Sequence, residues 1–110
     1  MARRPTDLMH GTLDVLVLKI LSWKPAHGYT IARDIERRSG GVFAIEDAAL
    51  YKALHRLEAA GSVEAEWGLS ENNRRARYYG LTPQGRKELR AETTTWLAYV
   101  AAVRGVLETA

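Results

Sequence analysis

The sequence lacks cysteine and has no long apolar run. Without cysteine among its 110 residues, the chain can form neither disulfides nor thiolate metal sites, and it has no cysteine nucleophile. The apolar runs are too short to span a bilayer. The start, MARRPTDLMHG, lacks the apolar segment of a secretory signal and is interpreted as a short basic arm over residues 1–11. We therefore expect a cytoplasmic protein that does not contact a membrane.

Residues suited to catalysis or metal binding are few and scattered. The three histidines, His10, His27 and His55, lie in three different predicted elements, and most acidic residues stand beside basic ones. Catalysis requires a nucleophile, a base and an orienting group that converge in one pocket. No spacing of residues in this chain suggests a catalytic set of this kind or a metal site. We therefore expect no enzyme activity, no metal site and no cofactor.

The net charge is also small. A value of +3 at pH 7 does not by itself indicate nucleic-acid binding, but its distribution is more informative. Residues 74–90 contain six basic side chains and a single acidic one, Glu88. This is the electrostatic pattern of a surface that binds polyanions. The alternative interpretation is an ordinary solvated basic surface.

The apolar spacing predicts two helices in the first 40 residues. Residues 13–23 are apolar on nearly every side, so that helix must be covered both by its own domain and by another helix. Pro25 ends it. The second helix begins at His27 or Gly28 and runs to Ser39, with His27 expected to cap or pack at its start.

A third predicted helix, residues 48–61, has two chemically different faces. Its apolar residues have the spacing that faces a core: Leu50, Ala53, Leu54 and Leu57. The other face carries hydrogen-bond donors that suit phosphates or base edges: Tyr51, Lys52, His55 and Arg56. Asp47 is the expected N-cap, and Gly61 is the expected stop.

After the third helix the apolar period changes from 3.6 to 2, which indicates strands. Residues 62–67 alternate, the loop GLSENNR follows, and residues 75–81 supply the return strand of a hairpin. Either Tyr78 or Tyr79 fits the position that faces the core. The hairpin carries three arginines that we expect to neutralise phosphates or enter the minor groove: Arg74, Arg75 and Arg77.

A long last helix is predicted from Pro83 to about residue 108, with Thr82 as its N-cap. Six of its residues are spaced alternately by four and three, which is a heptad seam of roughly three repeats: Leu89, Thr93, Trp96, Val100, Val103 and Leu107. A helix of some 25 residues, at about 1.5 Å each, reaches beyond so small a domain. A homodimer is therefore favoured over packing of the seam within one chain.

Three helices, a hairpin and a long helix, in that order, predict the fold class. It is mainly α with a small β-hairpin: a winged helix-turn-helix DNA-binding domain over residues 1–82 and a C-terminal dimerisation helix over residues 83–110, forming one compact unit. In such a module the third helix enters the major groove and the hairpin lies over a neighbouring groove or the backbone. The polar face of the third helix and the hairpin arginines are therefore the candidate DNA contacts.

Four successive segments also resemble the PadR-like family of transcriptional regulators. They are HGTLDVLVLKIL, HGYTIARDIERRSGG, ALYKALHRLEAAGSVEAEW and NNRRARYYGLTPQGRKEL, and the similarity covers residues 8 to about 92. Lys52 departs from the family pattern, which often has proline there. The resemblance implies a dimeric winged-helix repressor that binds a palindromic operator, in the short subgroup with a single C-terminal dimerisation helix.

The resemblance further implies a small-molecule effector. Short members of the family bind flat aromatic or drug-like molecules between the two central helices, where an aromatic side chain from each subunit stacks on the ligand. Trp96 stands at a suitable place for this, and simple packing within the seam is the alternative. The residues expected near such a pocket are Asp14, Val15, Leu18, Trp96, Tyr99 and Val100.

The functional prediction is thus a sequence-specific DNA-binding transcriptional regulator. Its expected partners are double-stranded DNA, a second copy of the chain and a small aromatic ligand. The competing hypothesis is a protein-interaction module built on the winged-helix scaffold. Such a module has no reason to keep both a polar third-helix face and an arginine-rich hairpin on one side of the molecule.

Overall fold

A computed structural model describes residues 11–110. Most of the predicted basic arm, and the start of the domain predicted over residues 1–82, lie outside the described residues. The elements of the described chain follow in this order: α1 (Leu13–Leu21), β1 (Ala26–His27), α2 (Gly28–Arg38), α3 (Asp47–Ala59), β2 (Val63–Leu69), β3 (Arg75–Leu81) and α4 (Pro83–Leu107). The prediction of a mainly helical winged-helix fold with a long last helix is confirmed.

The sheet has three antiparallel strands rather than two, in the order β1-β3-β2. The predicted hairpin is present, but β1 pairs Ala26 with Tyr79 and His27 with Tyr78 on the outer edge of β3. The prediction of a simple hairpin was therefore incomplete. A strand of two residues is too short to show an alternating pattern, and only its pairing with β3 identifies it.

The strand register decides which hairpin tyrosine faces the core. Tyr79 lies opposite Ala65 and is almost completely buried. The side chain of Tyr78 points to the other face of the sheet, since successive residues of a strand alternate. There its hydroxyl donates a hydrogen bond of 2.9 Å to the carbonyl oxygen of Leu69.

The hydrophobic core is built around α1, which packs against α2, α3 and α4. Val17, Leu18 and Leu21 of α1 are buried. The other helices and the sheet supply the rest of the core, as follows: Ala26, Ile31, Ile35, Leu50, Leu54, Leu57, Val63, Tyr79 and Leu89. The apolar face predicted for α3 is thus the one that holds this helix on the domain.

The helix ends agree with most of the sequence predictions. Thr82 caps α4, because its hydroxyl oxygen accepts a hydrogen bond of 3.0 Å from the backbone N–H of Gly85, and Gly61 ends α3 with a φ of 81°. The expected N-cap of α3 is wrong. Glu46 occupies that position without a side-chain cap bond, and Asp47 is the first residue of the helix, where a carboxylate is favourable beside the positive helix end.

The long helix α4 reaches beyond the body of the domain. Gly85 and Leu89 are its buried residues, whereas every residue from Arg90 to Ala110 is exposed. Leu89, the first position of the predicted seam, therefore packs in the core of its own chain. Among residues 11–110, no helix is long and apolar enough to cross a membrane.

Candidate nucleic-acid interface

A groove of about 710 Å³ lies between α3, the start of α2 and the wing, which is the β2–loop–β3 hairpin of residues 63–81. Five of the seven predicted DNA contacts line this groove: Tyr51, His55, Arg74, Arg75 and Arg77. The fold therefore brings together side chains from two elements that the sequence pattern had associated only by analogy with winged-helix modules.

Tyr51 owes its position in the groove to a glycine. Its ring lies over Gly28, the first residue of α2, and a Cβ at Gly28 would be 3.1 Å from the Tyr51 hydroxyl oxygen. The phenol is half exposed. It therefore presents a hydrogen-bonding hydroxyl at the junction of α2 and α3, supported on one side by the backbone.

Lys52 and His55 occupy the outward side of α3. Both are exposed, and residues three apart on a helix are neighbours on its surface. Lys52 does not line the groove, although His55 does. Within residues 11–110, neither forms an ion pair, so both side chains are available to a ligand that approaches the outer face of α3.

The groove face of the wing carries an arginine stacked on an aromatic ring. Leu69 is paired with Arg75 and Trp67 with Arg77, so these four side chains share one face of the sheet. The guanidinium of Arg75 lies 4.4 Å from the ring centroid of Trp67, a cation–π contact. Trp67 is 58% exposed, and its ring therefore holds Arg75 at the surface.

Two of the predicted contacts are engaged in ion pairs with neighbouring elements. Arg56 donates to both carboxylate oxygens of Asp14 on α1, with Nη2–Oδ1 at 2.7 Å and Nε–Oδ2 at 3.4 Å. This hydrogen bond raises the pKa of the Arg56 guanidinium above its ordinary value, burial opposes the rise, and the negative charge of Asp14 adds to it. Arg77 of β3 pairs with Glu58 of α3, with Nη2–Oε2 at 2.8 Å.

Several groove residues were not predicted from the sequence. Trp67 was identified only as one of the alternating residues of its strand, since its contact with Arg75 depends on the strand register. His27, Tyr29 and Thr30 of the α2 start also line the groove. The prediction that His27 caps α2 is confirmed, because its Nδ1 accepts a hydrogen bond of 3.4 Å from the Thr30 N–H.

A second groove, of about 590 Å³, lies between α1 and α4. Of the six residues predicted for an effector pocket, it brings together Val15 and Trp96. Leu18 is completely buried in the core and does not reach this surface. Asp14 instead pairs with Arg56, on the side of α1 that faces α3.

The remaining predicted pocket residues lie further along α4. Tyr99 stacks on Trp96, with ring centroids 5.5 Å apart and ring planes inclined by 24°. Val100 and Val103 are each 39% exposed and Trp96 is 38% exposed, and Leu107 is more exposed still. From Thr93 onward, the predicted seam is thus open surface in the single chain.

Comparisons with known proteins agree with this architecture. The transcriptional regulator PadR-like family matches residues 17–91, a segment that runs from α1 into α4 and includes the whole groove. A crystal structure of a PadR family transcriptional regulator from Eggerthella lenta is 32% identical, with a TM-score of 0.78, over 94% of this chain and 88% of that one.

Two further relatives cover a similar extent. The structure of a transcriptional regulator from Clostridium thermocellum superposes with a TM-score of 0.81 at 27% identity, over 91% of this chain and 94% of that chain. An uncharacterized protein of Lysinibacillus sphaericus is 31% identical over 91 residues, which is 83% of this chain and 84% of that protein. These matches confirm the family resemblance that the four sequence segments indicated.

Proposed function

Because this chain belongs to the PadR-like family of transcriptional regulators, we propose that it is a homodimeric repressor that binds a palindromic operator in double-stranded DNA. The members of this family are transcriptional regulators and not enzymes, so the expectation of no enzyme activity is confirmed. One observation above all supports DNA binding by this chain. Tyr51 and His55 of α3 and the arginines of the wing meet around a single groove.

Around that groove and on the adjacent outer face of α3, we assign two kinds of contact. Tyr51, Lys52 and His55 present hydrogen-bonding groups on α3, the helix that enters the major groove in a winged helix, and they are assigned to base edges. Arg74 and Arg75 lie on the wing and are assigned to phosphates or the minor groove. Base contacts supply sequence preference, whereas phosphate contacts supply affinity for any sequence.

The open seam of α4 supports a two-fold dimer. Trp96, Val100 and Val103 are apolar and more than a third exposed, and they repeat at the spacing of a coiled-coil interface. Two copies joined by α4 would present two α3 helices to successive major grooves. The half-sites are then expected about 34 Å apart, or at a multiple of that distance.

The test of the proposed function is binding of the full chain to its own promoter region, measured by fluorescence anisotropy over a series of salt concentrations. We expect affinity to fall steeply with salt, because several displaced counterions accompany each binding event. Arg75→Ala should weaken binding to all duplexes and lower the salt slope by about one. Tyr51→Ala should instead reduce the preference for the operator over a random duplex.

The same measurement separates this function from a protein-interaction module. A module that does not bind nucleic acid would be retained neither on heparin nor on a random duplex at low salt. Absence of binding to both the promoter and the random duplex would contradict the repressor assignment. Equal affinity for the two duplexes would contradict sequence-specific regulation but not DNA binding itself.

We further propose that a flat aromatic effector binds where the α1–α4 groove meets the partner subunit. The groove is lined by apolar and basic residues and two threonines, with Val15 on one side and Trp96 on the other. Trp96 stacks with Tyr99, and a planar ligand would stack on an aromatic ring in the same near-parallel arrangement. A planar dye should quench the fluorescence of the protein, and Trp96→Ala should remove the quenching while Trp23→Ala leaves it; equal quenching in both variants would contradict the assignment.

A further inference from the structure

The helix that carries the candidate base contacts is held by one ion pair on each flank. On one flank, Arg56 reaches Asp14 of α1, 42 residues earlier in the chain. On the other, Glu58 reaches Arg77 of β3. Residues two apart on an α-helix differ by about 200° around its axis, so the two pairs lie on nearly opposite sides of α3.

The outward residues of α3 lie between these flanks. Lys52 and His55 precede Arg56 by four residues and by one, which places both on the surface arc between Arg56 and Glu58 that faces away from the core. A small rotation of α3 about its axis would lengthen one ion pair and crowd the other. The same rotation would move Lys52 and His55 away from the positions in which they could contact a base edge.

The apolar contacts of α3 hold it on the domain and limit its rotation, because Leu50, Leu54 and Leu57 are buried and a close-packed core leaves a helix only small movements. The ion pairs bias the orientation of α3 within that small range. The ion pairs are directional, and Arg56 engages both oxygens of one carboxylate, which defines the orientation of the guanidinium. The four side chains are 33–57% exposed, so the pairs contribute little to folding stability.

We propose that Asp14 and Glu58 are positioning residues that set the rotation of α3, and that Arg56 and Arg77 serve as their partners rather than as phosphate contacts. This inference rests on the proposed DNA-binding function and assigns a role to two acidic residues that pair with arginines beside the candidate DNA contacts. It also reassigns Arg56 and Arg77, which are two of the seven residues predicted to contact DNA.

The direction in which DNA affinity changes when an acidic residue is neutralised distinguishes a positioning role from direct contact. By electrostatics alone, neutralising an acidic residue near the DNA-binding surface strengthens binding to a polyanion, and it also frees an arginine for a phosphate. Positioning requires the reverse. Asp14→Asn and Glu58→Gln should each weaken operator binding about two- to fivefold, the scale of an exposed ion pair, with a smaller effect on a random duplex.

Glu71→Gln is the matched control. Glu71 lines the groove between α3 and the wing but forms no ion pair in the described part of the chain. Removal of its charge should leave binding unchanged or strengthen it on both duplexes. The double substitution Asp14→Arg with Arg56→Asp reverses the pair without changing net charge, and it should bind the operator more tightly than Asp14→Asn does.

These measurements use the full chain, with thermal unfolding of each variant followed by circular dichroism to confirm a folded protein. Operator binding by Asp14→Asn and Glu58→Gln as tight as that of Glu71→Gln would overturn the inference. A salt slope for Arg56→Gln reduced as much as that of Arg75→Ala would do the same, because Arg56 would then contact a phosphate. Failure of the unsubstituted protein to bind any DNA would instead overturn the proposed function and this inference together.

Discussion

Gly85 packs directly against the backbone carbonyl oxygen of Ser62. A Cβ at position 85 would overlap that oxygen and would lie 2.9 Å from Cδ1 of Leu81. Ser62 is completely buried, and its hydroxyl donates a hydrogen bond to the carboxylate of Glu88. The first turn of α4 is thus seated against the junction of α3 and the wing, which joins the candidate dimerisation helix rigidly to the DNA-binding elements.

Gly85→Ala should therefore destabilise the fold. The obstructing atom belongs to the backbone of Ser62, so relief requires α4 to shift away from the junction of α3 and the wing, and overpacking of this kind costs about 1–3 kcal/mol. We expect a lower midpoint of urea unfolding, followed by circular dichroism. Gly105→Ala is the control in the same helix, since nothing lies within 4 Å of its Cβ position, and a gain of up to about 1 kcal/mol is expected there. A stable Gly85→Ala protein would contradict the close seating of α4.

The sequence was sufficient to predict the elements that have long periodic patterns. The helical spacing of Leu50, Leu54 and Leu57 identified the inward face of α3, and the pairing of Thr82 with Pro83 located the start of α4. Both signals are local, because each depends on residues within one or two turns of the same helix. Local signals of this kind predict an element correctly without information about contacts between distant parts of the chain.

The features that were missed depend on contacts between distant parts of the chain. Nothing near Asp14 in the sequence indicates that it pairs with Arg56, and nothing near Trp67 indicates that Arg75 stacks on its ring. The two residues of β1 become a strand only through β3. Asp47 is a favourable N-cap by residue type, but Glu46 takes that position, which shows how weakly a single residue determines a helix boundary.

Trp67→Ala should weaken DNA binding by removing the ring that supports Arg75. An exposed cation–π contact contributes about 0.5–1 kcal/mol, so we expect a loss of about two- to fivefold on every duplex. Trp23→Ala is the matched control, because Trp23 carries Arg38 at 4.2 Å from its ring but does not line the groove. Combining Trp67→Ala with Arg75→Ala should add little to the effect of Arg75→Ala, and full additivity would show that the ring does not act through Arg75.

Gly28→Ala should reduce sequence preference with little loss of stability. The added methyl group would stand 3.1 Å from the hydroxyl oxygen of Tyr51 and 3.3 Å from Cζ, so the exposed ring must move outward. Since the obstructing atoms end a side chain, the backbone need not shift. We expect the ratio of operator to random-duplex affinity to fall while the salt slope stays unchanged, and an unchanged ratio would show that sequence preference does not depend on the support of the Tyr51 ring by Gly28.

Val103→Glu should dissociate the proposed dimer. Val103 is 39% exposed in the single chain and lies in the seam between Val100 and Leu107, where a second copy would enclose the carboxylate without a partner, at a cost far above that of a surface substitution. Ala98→Glu introduces the same charge about 140° from Val103 around the helix, on the side away from the seam, and should leave the dimer intact. Sedimentation equilibrium gives the mass of each variant, and anisotropy gives its operator affinity. If Val103→Glu is a monomer that binds the operator as tightly as the unsubstituted protein, a single α3 is sufficient for recognition, and the two-fold operator must be abandoned.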